Sequence, residues 1–437
     1  MDLRFTPCPS SVPFVQAVVA NRAGEIYELD EYAALGMAAG NLAPLATVET
    51  VPMSHGSELM RLPQRRPVVY NLRKHRVETL SEDPYSPGEP IYPVAVFNSP
   101  GYMITRISAY EEQPDADYLP LFSYGAVGWY GEGFQSAAIQ VDTEPRQDLR
   151  RMPREKILVG VRQMRRKMPK NRLRRHLENC ALVYGCPAAK NFFLGRYEAP
   201  LPTSQSCNAR CRGCISLQEN TGIQSSQDRI KFTPTPEEAE VALAHIAKID
   251  RPVVSFGQGC EGEPLLAADV IEPAIRLIRK KTSAGTINMN TNASRPDILN
   301  RLFEAGLDSI RVSLNSVRPD GYSAYFRPRS YRFTDVIRSI DLAVLRNRFV
   351  AINYLNSPGF TDTPEELDAL MTFIRQHAIH MIQWRNLNFD PLRYWQIINR
   401  IVPSGQPLGM ERMFKTIAKR FPNLMHGYFN PPREKWP

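Results

Sequence analysis

The chain has 437 residues, 43% of them hydrophobic and 23% charged, which predicts a soluble globular protein of two or three domains with a core large enough to need no disulfide staples. With 54 Lys and Arg against 45 Asp and Glu the net charge is +9, which permits an anionic partner without demanding one. Seven cysteines, no run near the roughly 18 apolar residues of a membrane span, and no basic lead-in ahead of Ser10 to Ala20 predict a cytoplasmic protein with reduced thiols, where grouped cysteines mean metal or catalysis.

In chain order, the first segment is rich in Pro, Gly and aromatics. Short strand-like runs such as Arg66 to Leu72 and Phe134 to Val141 are separated by the breakers Ser86-Pro87-Gly88 and Ser99-Pro100-Gly101. This predicts an N-terminal α+β or mostly β domain over 1–148. A basic helical linker follows over 149–194. Between Arg150 and Arg175 stand 12 Lys or Arg and one acid, Glu155. Ile157, Leu158, Val161 and Met164 keep helical spacing beneath that charge, so amphipathic helices are predicted near 154–167 and 171–184, the second closed by Gly185 and Pro187. The basic face reads first as solvated or paired within the chain; docking of a nucleic acid or an acidic protein is the alternative.

From residue 195 strands and helices alternate. Strands are predicted at 196–204, 253–257, 286–292, 309–314, 349–355 and 381–387, with helices at 236–249, 267–281, 296–305, 333–346 and 364–377. Six such units predict an α/β fold, an open partial (β/α)6 barrel over 195–390 with a separate N-terminal domain. Six units are too few for the closed eight-stranded form. Pro200 and Pro202 place the first strand at an edge. Residues 391–437 are expected to form a C-terminal extension, helical near 410–420 and then irregular.

The loop from Ser206 to Cys214 reads C-x3-C-x2-C at Cys207, Cys211 and Cys214. Three thiolates on one short loop can hold three irons of a [4Fe–4S] cluster and leave the fourth open. A zinc site competes, but it normally wants four ligands, and no His or fourth Cys lies within 20 residues of the three cysteines. This triad after a first strand, ahead of a six-unit α/β core, resembles the radical S-adenosylmethionine (SAM) superfamily. The resemblance implies a [4Fe–4S] cluster and SAM as cofactors, reductive cleavage of SAM to a 5′-deoxyadenosyl radical, and a reductant protein such as a flavodoxin or ferredoxin. One departure stands: Gly213 lies where members often carry an aromatic.

Ligands of parallel α/β folds gather at the C-terminal ends of the strands. Gly262-Glu263-Pro264 is similar to the family's Gly-Gly-Glu-Pro element, with Glu261 in place of the first Gly; by resemblance it binds the SAM amino group. Asn288, Asn290 and Asn292 share one face by period-two alternation. Asn290 and Asn292 are expected to touch the cofactor, with a buried polar network as the alternative. Ser313 and Asn315 sit in a segment similar to the Ser-Leu-Asp of molybdenum-cofactor-biosynthesis-type members and are expected near the SAM carboxylate and ribose. Gln383 is expected near adenine or substrate. Cys260 is the candidate catalytic residue, a thiol that returns a hydrogen atom to a substrate radical; a passive loop thiol is the alternative. Cys8, Cys180 and Cys186 are scattered, and Cys180 reads as a buried thiol on the face of Leu173 and Leu177. The expected function is a radical SAM enzyme acting on a peptide or protein, with a nucleic acid or anionic metabolite next. The rival is a non-catalytic SAM-binding or electron-carrying module.

Overall fold

The computed structural model describes residues 4–6, 12–219, 221–403 and 405–437; Cys8 lies outside them. Up to residue 148 the described residues form strands and short 3-10 turns, the mostly β alternative. The expected strand at 66–72 is Arg65–Asn71. The run at 134–141 is two strands, Gly133–Ser136 and Ala138–Gln140. Ala137 between them donates its N–H to Ala126 instead of to a strand partner. The long strand Ile26–Ala38 organises the region. It pairs with Gln16–Ala20, Asn41–Pro44, Arg65–Asn71 and Ile107–Ser108, so it bends through several partners.

Three linker helices follow, α1 (Arg154–Lys167), α2 (Arg172–Leu182) and α3 (Pro187–Leu194). Ile157, Val161 and Met164 bury the apolar face of α1. Its Gly160 meets α3 so closely that a Cβ there would fall 1.9 Å from the Phe193 carbonyl oxygen. Pro187 does not merely end α2. It opens α3 at the first helical position, where its missing N–H costs nothing. The basic tract is partly consumed within the chain: Arg150 pairs with Asp148, Arg165 and Arg174 with Glu178, and Arg172 with Glu237.

The second half is a seven-stranded parallel sheet in sequential order: β1 (Glu198–Pro200), β2 (Val253–Phe256), β3 (Thr286–Thr291), β4 (Ser309–Leu314), β5 (Phe349–Asn356), β6 (Met381–Asn386) and β7 (Met425–Gly427). Around it lie α4 (Glu237–Ile246), α5 (Ala268–Lys281), α6 (Pro296–Ala305), α7 (Pro319–Phe326), α8 (Phe333–Leu345) and α9 (Pro364–His377). The tail adds α10 (Pro391–Ile401) and α11 (Met410–Arg420) before β7. This is the open partial barrel with one strand more than expected. β1 is an edge, as its prolines require, pairing with β2 alone. β6 is not an edge, because β7 pairs with it. Asn430, just past β7, spans the gap: its Nδ2 donates to Glu198 on β1 (2.9 Å), and its Oδ1 accepts from Gln383 on β6 (3.0 Å).

The N-terminal half docks against the barrel through buried polar contacts. Asn386 at the end of β6 accepts from the Ile104 amide and donates to the Tyr102 carbonyl, each at 3.0 Å. Asp390 accepts from the Leu119 amide at 3.1 Å and pairs with buried Arg65 at 3.3 Å. Among the described residues no helix is long and apolar enough to cross a membrane.

Candidate active site at the cysteine loop

The loop after β1 carries Cys207, Cys211 and Cys214 and has little structure of its own. Its order is imposed by neighbouring strand ends. Gly262 donates its N–H to the Ser204 carbonyl (2.7 Å) and Glu263 to that of Ser206 (2.8 Å). A Cβ on Gly262 would lie 2.0 Å from the Ser206 oxygen, so only glycine allows this approach. The buried carboxylate of Glu261 accepts from the amides of Thr203 (2.8 Å), Ser204 (2.9 Å) and Gln258 (2.6 Å). Asn208 donates to Ser294 (2.9 Å) and accepts from Asn292 (2.8 Å). The amides of Arg210 and Arg212 donate to Phe326 and Tyr325 of α7, both at 3.1 Å.

The thiols sit in an environment that disfavours thiolate unless a cation is supplied. Burial, then the Glu263 carboxylate, pushes Cys207 up to about 11. Burial, then Cys207 and Cys214, raises Cys211 well above the ordinary thiol range. Arg229 places Nη2 3.6 Å from the Cys214 sulfur. Three thiols from one loop, held by the surrounding backbone, are a donor set that fits three irons of a [4Fe–4S] cluster. The missing aromatic at Gly213 has a replacement from elsewhere in the chain. The Tyr325 hydroxyl stands against this glycine: a Cβ at 213 would strike that hydroxyl and the Asn388 carbonyl oxygen, both at 2.6 Å. A cavity of about 420 Å³ opens beside Cys211 and Cys214, lined also by Arg212, Arg327 and, from the N-terminal half, Tyr118.

The other expected site residues divide into two groups. Gly262, Glu263, Asn292 and the cysteines converge. Glu263 accepts from the Thr291 hydroxyl (2.5 Å) and the amides of Asn292 (2.8 Å) and Leu265 (3.2 Å), while burial pushes it up to about 7. Its carboxylate therefore ties the β2 loop to the end of β3. Pro264 starts a 3-10 turn, Pro264–Ala267. Asn290 and Gln383 belong to a network inside the barrel: Asn290 donates to the Gly257 carbonyl (2.8 Å), and Gln383 accepts from Arg311 (3.0 Å). Asn315 donates to the Gly321 carbonyl (3.0 Å) and to the Tyr394 hydroxyl (3.1 Å), leaving its buried Oδ1 without a partner. Ser313 keeps partial solvent contact on the barrel's inner side. Cys260 is elsewhere: its sulfur lies 3.4 Å from Nε2 of His176 on α2, and it does not line the cavity beside the cluster cysteines. Glu261, Asn208, Arg229 and Tyr325 were not singled out by sequence. Glu261 alone left a trace, as the departure from the family's glycine.

Residues 201–374 match the Radical SAM superfamily. Among curated relatives, the GTP 3',8-cyclase of Chlorobaculum tepidum is 25% identical over 226 residues, 51% of this chain and 62% of that protein. The mitochondrial GTP 3',8-cyclase of Arabidopsis thaliana is 26% identical over 231 residues, 51% of this chain and 52% of that protein. The chain thus spans between about half and three-fifths of the length of these relatives. Among solved structures, Streptococcus suis SuiB bound to precursor peptide SuiA covers 58% of this chain and 51% of its own at 13% identity and a TM-score of 0.38, too slight a likeness to carry an argument. With the cysteine triad and the parallel half-barrel in place, residues 201–374 form a radical SAM domain, and the cofactors of that family are a [4Fe–4S] cluster and SAM.

Proposed function

We propose that this chain uses SAM-derived radical chemistry on an anionic substrate, with a nucleoside triphosphate of the GTP kind as the first to test. When bound, the cluster supplies the electron that cleaves SAM reductively to methionine and a 5′-deoxyadenosyl radical. Cys207, Cys211 and Cys214 would hold it, and a flavodoxin or ferredoxin is the expected reductant.

The observation that supports an anionic substrate is a pair of guanidinium groups inside the barrel. Arg311 on β4, with Ser313, Asn353 and Leu355 nearby, keeps partial solvent contact while the alternate strand positions are buried; Arg385 on β6 is also only partly buried. Arg311 donates to Gln383, and Arg385 donates to the Tyr428 carbonyl at 2.7 Å, lying 3.6 Å over the Tyr428 ring. These partners are neutral, and the Nε of each arginine is buried without an acceptor. Burial, then the Arg385 charge, lowers Arg311 to about 9. Two such cations call for a phosphate or carboxylate, which guanidinium groups bind through paired N–H donors. The curated relatives named above are cyclases of GTP. A peptide or protein substrate, the first expectation from sequence, has no comparable support.

The test is anaerobic turnover of reconstituted protein with SAM and dithionite, following 5′-deoxyadenosine. GTP is expected to accelerate its formation and to be consumed. Replacing both Arg311 and Arg385 by Gln is expected to raise KM for GTP while iron content stays the same. Turnover indifferent to GTP and to other nucleoside triphosphates would refute the proposal.

A further inference from the structure

We infer that His176, Cys180 and Cys260 hold one metal ion of the zinc class, at a site distinct from the cluster loop. His176 and Cys180 are four residues apart on α2 and therefore share a face. Cys260 reaches them from the loop after β2. Nε2 of His176 lies 3.4 Å from the Cys260 sulfur and 3.5 Å from that of Cys180. All three ligand atoms lie within 4.8 Å of one another, which among the described residues no other trio of His, Cys, Asp or Glu achieves.

Two arguments favour an ion over hydrogen bonding. The first is valence. A neutral ring nitrogen accepts one hydrogen or donates one, yet this single Nε2 faces two sulfurs at nearly equal distance. A shared cation satisfies both contacts. The second is size. With zinc bonds of about 2.0–2.1 Å to nitrogen and 2.3 Å to sulfur, a tetrahedral site has N···S edges of about 3.6 Å. The two observed distances match that edge. Cys207, Cys211 and Cys214 do not form so tight a group, as suits a cluster of several irons rather than one ion.

Two cysteines and one histidine supply three zinc ligands and leave the fourth tetrahedral position to water. Binding would release the thiol protons to solvent. The ion would fasten the basic helix α2 to the loop that presents Gly262 and Glu263, two and three residues beyond Cys260. This places Cys260 in a structural role, in contrast to the hydrogen-atom donor expected from sequence.

The test is metal analysis of the full-length holoprotein purified without oxygen or chelator. About one zinc per chain is expected beside the cluster iron. His176→Ala and Cys260→Ala should each lose the zinc and keep the iron. Cobalt titration of the unsubstituted protein is independent of how the variants fold; it should give a thiolate-to-cobalt charge-transfer band. Protein holding iron but no zinc, and giving no such band, would overturn the inference. So would a Cys180–Cys260 disulfide found by alkylation and mass spectrometry, or loss of iron instead of zinc in Cys260→Ala, which would mean a second iron–sulfur cluster.

Discussion

Gly262→Ala should dismantle the cysteine loop rather than merely weaken SAM binding. The new Cβ would lie 2.0 Å from the Ser206 oxygen and 2.5 Å from its carbonyl carbon, where real Cβ atoms stay beyond 3.0 Å. Both neighbours are backbone atoms, so no side chain can swing aside. The loop must retreat by about 1.0 Å, the difference between 3.0 and 2.0 Å. Retreat on that scale takes the bonds from Gly262 to Ser204 and from Glu263 to Ser206, now 2.7 and 2.8 Å, out of hydrogen-bond range. Leaving two buried pairs unmade costs about 2–6 kcal/mol in all, at ~1–3 kcal/mol each. Ser206 immediately precedes Cys207, so its displacement also moves the first cluster ligand. Iron and sulfide per chain after anaerobic reconstitution, and thermal unfolding of the cluster-free protein, read the two effects; both values should fall. If the glycine served only the approach of SAM, iron and unfolding would match the unsubstituted protein and SAM affinity alone would drop. That result would refute the reasoning.

Glu263→Gln puts an amide donor where the carboxylate now accepts three hydrogen bonds, so it should destabilise the fold by about 1–3 kcal/mol; a urea midpoint equal to that of the unsubstituted protein would show that the carboxylate does not tie the loop to β3. Glu238 is fully buried on α4, neither of its oxygens has a partner, and burial pushes it up to about 8 from 4.5. A raised carboxyl contributes stability that is complete below pH 4.5 and lost as pH rises through about 8. The stability of Glu238→Gln relative to the unsubstituted protein should therefore grow between pH 5 and 8 and then level off, at up to about 1.4 kcal/mol per pH unit; denaturant midpoints that move in parallel would contradict this. Tyr325→Leu removes the hydroxyl over Gly213 and should speed bleaching of the cluster in air, followed by absorbance; an unchanged rate would mean that the tyrosine does not shield it.

Features of the chain with a local cause were legible in the sequence. The cysteine triad, the alternation of strands and helices after residue 195, and the edge placement of β1 by its prolines depend on spacing and on residues without a donor. What escaped depends on partners far away in the chain. Gly262 was expected to let a ligand approach, yet the atom it accommodates belongs to Ser206, 56 residues earlier. Gly213 looked like a lost aromatic, but Tyr325 arrives from a helix more than 100 residues later and fills its place. Pro187 is read equally well as a helix stop or a helix start, and only the packing of α3 decides. β7 is three residues long, too short to show a period, and exists because β6 offers it an edge. The alternation of Asn288, Asn290 and Asn292 was legible, but the polar network at Asn290 also needs Asn430, which returns from the tail to reach it.

The manner in which the cluster loop is held leads to a last prediction. Between Ser206 and Cys214 the described backbone makes one bond within the loop, from the Cys214 amide to the Cys211 carbonyl at 3.3 Å. Most of its other bonds come from outside, among them two amides of the β2 loop, the Glu261 carboxylate on the preceding Thr203 and Ser204, Asn292 and Ser294 on Asn208, the Arg329 amide on the Asn208 carbonyl, and two carbonyls of α7. A loop clamped in this way does not need its metal to keep its path, unlike small domains in which metal binding supplies the folding energy. Replacing Cys207, Cys211 and Cys214 together by Ala should therefore abolish iron binding and leave circular dichroism and the urea midpoint close to those of the cluster-free parent. Glu261→Ala should do the opposite. It keeps every thiol but leaves the Thr203, Ser204 and Gln258 amides without their buried acceptor, at about 1–3 kcal/mol for each left unpaired. Its urea midpoint should fall well below that of the triple variant. If the triple variant unfolds while Glu261→Ala is unaffected, the cluster organises the loop and the strand ends do not.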